Sequence, residues 1–290
     1  MINGDKNNTS QTEVVDTVYG KFYTWQNDTI TNQLKRYSAH ARNELAMLLS
    51  FIRPGDNILD IGAHIGTYTI PIAKKVDQGT VFAIEGSPEN YELLLRNISE
   101  NGLKETIEPA CHILGKQGEQ YYMTRTKSHN TGSTHFIPGK GEKTFKISGF
   151  DILEWVTSKK QDLLINLIKI DIEGAEMTAL KACDKMIHKE RPILYIEIHK
   201  EALKRFDTSF EEIHHFLSSF GYHYFKNIGL RNSNNDSYSL ARLKNLEQGG
   251  NFFDLLAILP DNPRYPSRYF GPSFLKFFNA YKTLKKIMGL

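Results

Sequence analysis

The chain is poor in cysteine: 290 residues contain two, Cys111 and Cys183, in apolar surroundings and without Cys-x-x-Cys spacing. That argues against a disulfide framework or a thiolate zinc site, and reads as two reduced, buried thiols in a cytoplasmic protein. No apolar run approaches the length of a bilayer span. The opening residues, to about Asp16, lack the basic and apolar regions of a secretory leader, so tripeptides such as Asn27-Asp28-Thr29 carry no expectation of glycosylation. Nor is there a dominant charge, since 36 basic and 33 acidic side chains leave a net +3; no nucleic-acid partner is expected on that ground. Internal repeats and low-complexity linkers are also missing, which leaves one catalytic-sized domain.

What is present is a strand and helix rhythm. Short apolar runs bounded by turn residues stand at 57–61, 81–84, 107–114, 164–170 and 193–198, with helix-sized segments at 67–75, 88–101, 151–158 and 175–187 between them. Such alternation predicts an α/β fold with a Rossmann-like, doubly wound, mostly parallel sheet. A helix is expected over 33–51, then a helix near 210–220 and strands near 222–226 and 253–259, with the polar stretch 231–250 read as loop. Residues 117–148 turn polar and Gly-rich with short alternating pieces, which predicts a hairpin or loop insertion over the active face. The resulting division is a polar, mobile extension over 1–32, the domain over 33–260, and a helical tail over 261–290.

Asp60-Ile61-Gly62-Ala63-His64-Ile65-Gly66 follows the first of these strands and opens the next helix, where a doubly wound sheet takes a nucleotide-like ligand. Gly62 allows a sharp turn and close approach, Gly66 allows tight helix packing, and the helix amides suit a carboxylate or a phosphate. Nineteen residues past Gly66, Glu85 ends the next strand, where an acidic side chain can accept both hydroxyls of a ribose. The loop is not Gly-x-Gly-x-x-Gly and no Gly-Lys-Ser/Thr follows, so a dinucleotide fits less well and a P-loop is excluded. His64 reads as a loop residue covering the ligand.

A second cluster, Ile168-Lys169-Ile170-Asp171-Ile172-Glu173-Gly174-Ala175-Glu176, puts three carboxylates at the same sheet edge. Bland readings exist for Glu176, as a partner of the helix dipole, and for Glu173, as a cap or a solvent-facing residue, whereas Asp171, directly after an apolar strand, is the hardest to explain as surface decoration. Such carboxylates act as a general base toward a hydroxyl, or hold a divalent ion through Asp171; the residues leave both open. One strand further on, alternation places Tyr195, Glu197 and His199 on one side. The catalytic candidates are Asp171, Glu173, Glu197 and His199.

These residues resemble the FkbM family of methyltransferases. The likeness runs through 59–66, through Phe82-Ala83-Ile84-Glu85-Gly86-Ser87-Pro88-Glu89-Asn90-Tyr91, through Asn101-Gly102, and through 168–176. It implies a class I fold, S-adenosyl-L-methionine bound by Asp60, Gly62, Ala63, Gly66 and Glu85, and Asp171 and Glu173 near the acceptor. It also implies O-methylation of a hydroxyl on a saccharide or secondary metabolite. His64 stands where the family often has Asn, and Gly86 where Pro is common. The rival readings are an NAD-dependent oxidoreductase on the same fold, which should carry a tighter glycine loop, and a non-catalytic module that binds the cofactor or a partner. Nitrogen as acceptor atom stays open. In the tail, Phe274, Phe277, Phe278, Tyr281, Leu284, Ile287 and Met288 recur at helical intervals among lysines. That pattern predicts docking on the chain's own domain, on a second copy in a homo-oligomer, or peripherally on an anionic membrane.

Overall fold

The computed structural model describes residues 12–115, 118–125, 130–141, 144–146, 150–160, 163–272 and 274. Its strands and helices, in chain order, are β1 (Thr12–Thr17), β2 (Gly20–Trp25), α1 (Thr29–Tyr37), α2 (Arg42–Ser50), β3 (Asn57–Ile61), α3 (Thr69–Val76), β4 (Val81–Glu85), α4 (Pro88–Glu100) and β5 (Ile107–Cys111). There follow β6 (Gln120–Arg125), β7 (Thr134–Pro138), β8 (Thr144–Lys146), α5 (Ile152–Lys159), β9 (Ile165–Ile170), α6 (Glu176–Ala182), α7 (Asp184–Glu190) and β10 (Ile193–His199). The last are α8 (Lys200–Leu203), α9 (Phe210–Ser219), β11 (His223–Asn227), β12 (Leu240–Leu243) and β13 (Phe252–Ile258).

The main sheet has the order β12-β11-β13-β10-β9-β3-β4-β5. The five strands from β10 to β5 are parallel, while β13 runs antiparallel between β10 and β11. The chain builds outward from β3 to β5, then returns to lay β9 and β10 on the other side. The reversal between β3 and β9 opens a crevice at the carboxyl ends of these strands. Both faces of the sheet are covered, which is why the central strands read as continuous apolar runs. On one face Leu59, Phe82, Ile168 and Ile170 pack with α5, α6, α7 and α9; on the other, Ile58, Val81, Leu167 and Ile193 pack with α1 to α4.

The doubly wound, mostly parallel fold is as the alternation predicts, but several elements differ from expectation. The single helix over 33–51 is two helices, broken where Ser38 and Ala41 adopt left-handed backbone (φ 58° and 44°). Helix 175–187 is likewise divided, at Cys183. The stretch taken as a polar, mobile start contains the β1–β2 hairpin, whose pairing needs no long apolar run. Asn97 clamps the hairpin to α4, its Oδ1 accepting from the Tyr23 amide (2.7 Å) and its Nδ2 donating to the Tyr23 carbonyl (3.0 Å). The Arg96 guanidinium lies 3.4 Å from the centre of the Tyr23 ring. Residues 231–250, read as loop, supply the edge strand β12 and a 3-10 turn over Leu246–Gly249. The insertion at 117–148 contains a three-stranded antiparallel sheet, order β7-β6-β8. Cys183 is buried as expected, but Cys111, at the end of an outer strand, is exposed. The tail positions Phe277, Phe278, Tyr281, Leu284, Ile287 and Met288 lie outside the described residues.

Candidate active site

A cavity of about 510 Å³ occupies the crevice, a size usual for small-molecule and cofactor sites. Its floor begins with the loop after β3. The amides of Gly62 and Ala63 both donate to the Ile84 carbonyl (2.9 Å each), which ties the turn to β4. Gly62 has φ +86°, and a Cβ there would run into the carbonyl oxygen of Asp171, so only glycine lets the two loops touch. Helix α3 starts two residues later than expected, at Thr69. Thr67 and Tyr68 before it line the cavity, and the first turn of a helix leaves amides without intrahelical partners.

Glu85 is buried at the end of β4. Its Oε2 accepts from the His64 amide (2.8 Å) and its Oε1 from the Ser87 amide (2.7 Å). Burial nevertheless pushes its carboxyl up to about 7 against those two amides. Each oxygen keeps a lone pair, and two hydroxyl donors would stabilise the ionised form. The pocket thus fits a nucleoside with a vicinal diol: Glu85 on the diol, and the Thr67 and Tyr68 backbone at the start of α3 on a charged amino-acid end.

Two residues expected at the cofactor stand elsewhere. Asp60 does not line the cavity; it is fully buried, its Oδ1 accepting from Lys169 Nζ (2.9 Å) and its Oδ2 from Thr69 Oγ1 (2.7 Å). Gly66 is also off the lining, and a Cβ there would press on Leu94 and Ile70, so its part is the helix packing read from the sequence. Gly62, Ala63 and Glu85 do line the cavity.

The other end of the cavity is built from side chains. Asp171, Glu173, Glu197 and His199 all line it, so the four catalytic candidates are brought together. Sheet register explains much of this: Asp60 pairs with Lys169, Lys169 with Tyr195, and Glu197 with Asp254. A row of polar groups therefore runs across one face of an otherwise apolar sheet. Burial alone would depress the Lys169 ammonium, but Asp60 and Asp171 outweigh it and raise the group, so it stays charged. Asp171 Oδ2 lies 3.9 Å from Lys169 Nζ, and its side chain is 32% exposed. Among the described residues nothing hydrogen-bonds to its carboxylate. Glu176 is not surface decoration: it is buried, its Oε1 accepting from the Gly174 amide (2.9 Å), and burial pushes its carboxyl up to about 7. It shapes the loop that carries Asp171 and Glu173.

Three further residues escaped the sequence reading. Arg231 sits between Glu197, at 3.2 Å, and Asp254, to which it is directly bonded. Burial raises both carboxyls even so, Glu197 well above the ordinary range and with Asp171 adding to the effect. His40, in the break between α1 and α2, lines the cavity, and among the described residues its Nδ1 has no hydrogen-bond partner. Burial, with Arg231, His64 and Lys169 nearby, drives its imidazole down to about 3, which keeps it neutral. Glu44 accepts from Asn227 Nδ2 (3.0 Å) and is lifted by burial to about 8. A lysine between Ile168 and Ile170 was a visible signal for buried charge; Arg231, in a polar stretch, and His40, inside an expected helix, gave none.

The insertion closes the top. Asn130 to Phe136 line the cavity, and two bonds hold them there: the Thr131 amide to Asp28 Oδ2 (2.6 Å), and Thr131 Oγ1 with His64 Nε2 (3.0 Å). His64, at φ 52°, therefore acts as a covering residue. Among the described residues no group of three or more His, Cys, Asp or Glu is arranged to hold a metal ion.

The family model described as the methyltransferase FkbM domain matches residues 60–224, more than half of the chain and all of the crevice from Asp60 to β10. The chain belongs to the FkbM methyltransferase family. S-adenosyl-L-methionine is the cofactor that goes with this domain, and the diol carboxylate, open amides and cavity size fit it. The chain is similar to Methyltransferase 1 of Beauveria bassiana, 25% identical over 153 residues, covering 45% of this chain and 60% of that protein. It is also similar to Methyltransferase sdnD of Sordaria araneosa, 23% identical over 159 residues, covering 44% and 60%. The matches thus span about 60% of the length of these curated relatives. Among solved structures, M. jannaschii TYW2 in complex with AdoMet aligns with a TM-score of 0.43 at 12% identity, covering 87% of this chain and 86% of that one. Precorrin-6y C5,15-methyltransferase of Geobacter metallireducens aligns at 0.41 and 14%, covering 74% and 87%.

Proposed function

We propose that the protein transfers the methyl group of S-adenosylmethionine to a hydroxyl of a saccharide or secondary metabolite. The observation that carries this reading is the placement of Asp171, Glu173, Glu197 and His199 in the same cavity as Gly62 and Glu85. When bound, the cofactor supplies a methyl group on a positively charged sulfur, ready for in-line displacement. An alcohol acceptor must then be aligned and must lose one proton. Asp171, its carboxylate without a hydrogen bond among the described residues and 3.9 Å from Lys169 Nζ, takes that proton. His40, kept neutral, offers an acceptor nitrogen that orients the hydroxyl. Glu197, clamped by Arg231, fixes the strand end from which His199 projects.

Carboxylates at the acceptor end repel a phosphate backbone, which favours a small, neutral, hydroxylated acceptor over a nucleic acid. Phe252, 47% exposed at the cavity wall and 5.5 Å from the His199 ring, gives an apolar surface for a ring to lie on. The two free cysteines support a cytoplasmic location. Calorimetric titration with S-adenosylhomocysteine, with NAD as control ligand, tests the cofactor half; saturable binding of the first alone is expected, and binding of NAD alone would overturn it. A methyl-transfer screen over hydroxylated saccharides and amines, with Asp171→Asn as the inactive control, tests the acceptor half.

A further inference from the structure

A second cavity, of about 700 Å³, lies beside the end of α2 and the β11–β12 edge, and shares no lining residue with the cofactor cavity. Its wall carries Arg53, Arg264 and Arg268 and no acidic side chain. Arg264 is neutralised from behind, its guanidinium bonded to both oxygens of Asp56 (2.5 and 2.6 Å) and to the Phe51 carbonyl (2.9 Å). Among the described residues Arg53 and Arg268 have no ion pair and no side-chain hydrogen bond. Of the hydroxyls around them, Tyr238 donates to Ser50 Oγ (2.8 Å) and Tyr265 pairs with His223 Nδ1 (2.7 Å), while Ser239, Ser267 and Tyr269 also stand on the wall. The cations left over are two guanidiniums, a donor set matched to a phosphate.

The rim identifies the kind of phosphate. Tyr269 and Phe270 line the same cavity and are 39% and 44% exposed, each packing part of its ring, Tyr269 on Phe225 and Phe270 on Phe274, and leaving the rest open beside the unpaired cations. Phe270 is not a loose end, because its backbone is pinned to the sheet edge, N–H to Leu240 O and Arg242 N–H to its own carbonyl (2.9 Å each). A free inorganic phosphate gains nothing from aromatic rings on the cavity wall. A phosphate carried on a hydrocarbon layer does, since aromatic side chains favour the boundary between headgroups and acyl chains, and cationic ones favour an anionic leaflet. In sequence, residues 271–290 continue the trend with four lysines and no carboxylate.

We propose that this cavity is a phospholipid headgroup site through which the protein docks on an anionic bilayer, with Arg53 and Arg268 taking the phosphate and Tyr269 and Phe270 entering the interface. The cofactor cavity stays clear of this face, so docking is compatible with turnover.

Co-sedimentation of the full chain with vesicles of phosphatidylcholine alone, and of phosphatidylcholine mixed equally with phosphatidylglycerol, tests it. Binding to the anionic vesicles only is expected, and Arg53→Gln/Arg268→Gln should raise the half-saturating lipid concentration at least ~10-fold while S-adenosylhomocysteine affinity is unchanged. Tyr269→Ser/Phe270→Ser should weaken vesicle binding with inorganic phosphate binding retained. Equal binding by wild type and the arginine variant would overturn the proposal, as would wild type that ignores anionic vesicles. Retention of inorganic phosphate or single-stranded RNA without vesicle binding would overturn it too, assigning the cavity to a soluble anion.

Discussion

The two ends of the central cavity are made differently. The cofactor end is backbone: a glycine turn locked to β4, the first turn of α3, and one carboxylate held by two amides. The acceptor end is side chains from four separate stretches, His40, Asp171 with Glu173, Glu197 with His199, and Arg231, balanced by buried charge. A backbone cradle depends on φ values and tolerates few substitutions, so it writes a contiguous signature. A charge network needs only that partners meet in space, so it leaves isolated letters scattered along the chain. The contrast also separates what each end contributes: geometry for a constant ligand, chemistry for a variable one.

The sharpest test of the contrast is Asp171→Asn. If the acceptor end supplies the proton-accepting group and the cofactor end the binding, turnover should fall by ~10²–10⁴-fold with S-adenosylhomocysteine affinity nearly unchanged by calorimetry. A parallel loss of affinity would mean that the two ends are not separable. Arg231→Gln comes next, since it leaves Glu197 and Asp254 facing each other without a cation; a loss of ~3–5 kcal/mol in urea unfolding is expected. Gly62→Ala attacks the other end, forcing a side chain into left-handed backbone against Asp171, with an expected cost of ~1–3 kcal/mol in thermal unfolding and weakened cofactor binding.

The smallest effects are those of pH. On the proposed reading Glu85 takes the diol best when ionised, and burial pushes its carboxyl up to about 7. Cofactor affinity should therefore rise from pH 6 to pH 8, and Glu85→Gln should flatten that profile. Stability of the free protein should move the other way over the same interval. Glu85 and Glu176 at about 7 and Glu44 at about 8 hold protons more tightly folded than unfolded, so their stabilising share is complete below the unfolded value and is lost as pH rises through 7 to 8. His40, depressed to about 3, contributes stability above its unfolded value near 6.5 and loses it as pH falls. From these four groups the thermal unfolding midpoint should be highest at about pH 4–5 and should fall from there to pH 8; a midpoint still climbing to pH 8.5 would contradict this balance.

The contrast also explains what could be read from the sequence. The β3 loop, Glu85 and the 168–176 cluster are local, and periodicity placed each at the correct sheet edge. Asp60 misled because a strand-end position just before the glycine turn does not say which way a side chain turns; its partners, Lys169 and Thr69, are set by sheet register and by a helix start. Breaks at Ser38–Ala41 and at Cys183 were invisible because no glycine or proline marks them, and left-handed serine or alanine depends on tertiary contacts. The β1–β2 hairpin hid in polar composition, since clamping by Asn97 and Arg96 substitutes for a second apolar face. Arg231 is the clearest case, a residue in an unpatterned stretch whose importance exists only once Glu197 and Asp254 are side by side.

Asp28 gives its two oxygens to different masters. Oδ1 accepts the Ile30 amide and starts α1 (2.8 Å), while Oδ2 accepts the Thr131 amide of the insertion. Were the insertion to lift, the bond to Thr131 would break while the Ile30 amide kept the carboxylate aimed. The latch stays set while the door is open, so each return meets a catch already in position and closing needs no search by the catch itself. Asp28→Asn keeps the helix start but turns an amide toward Thr131, and should convert a latch into a swinging door.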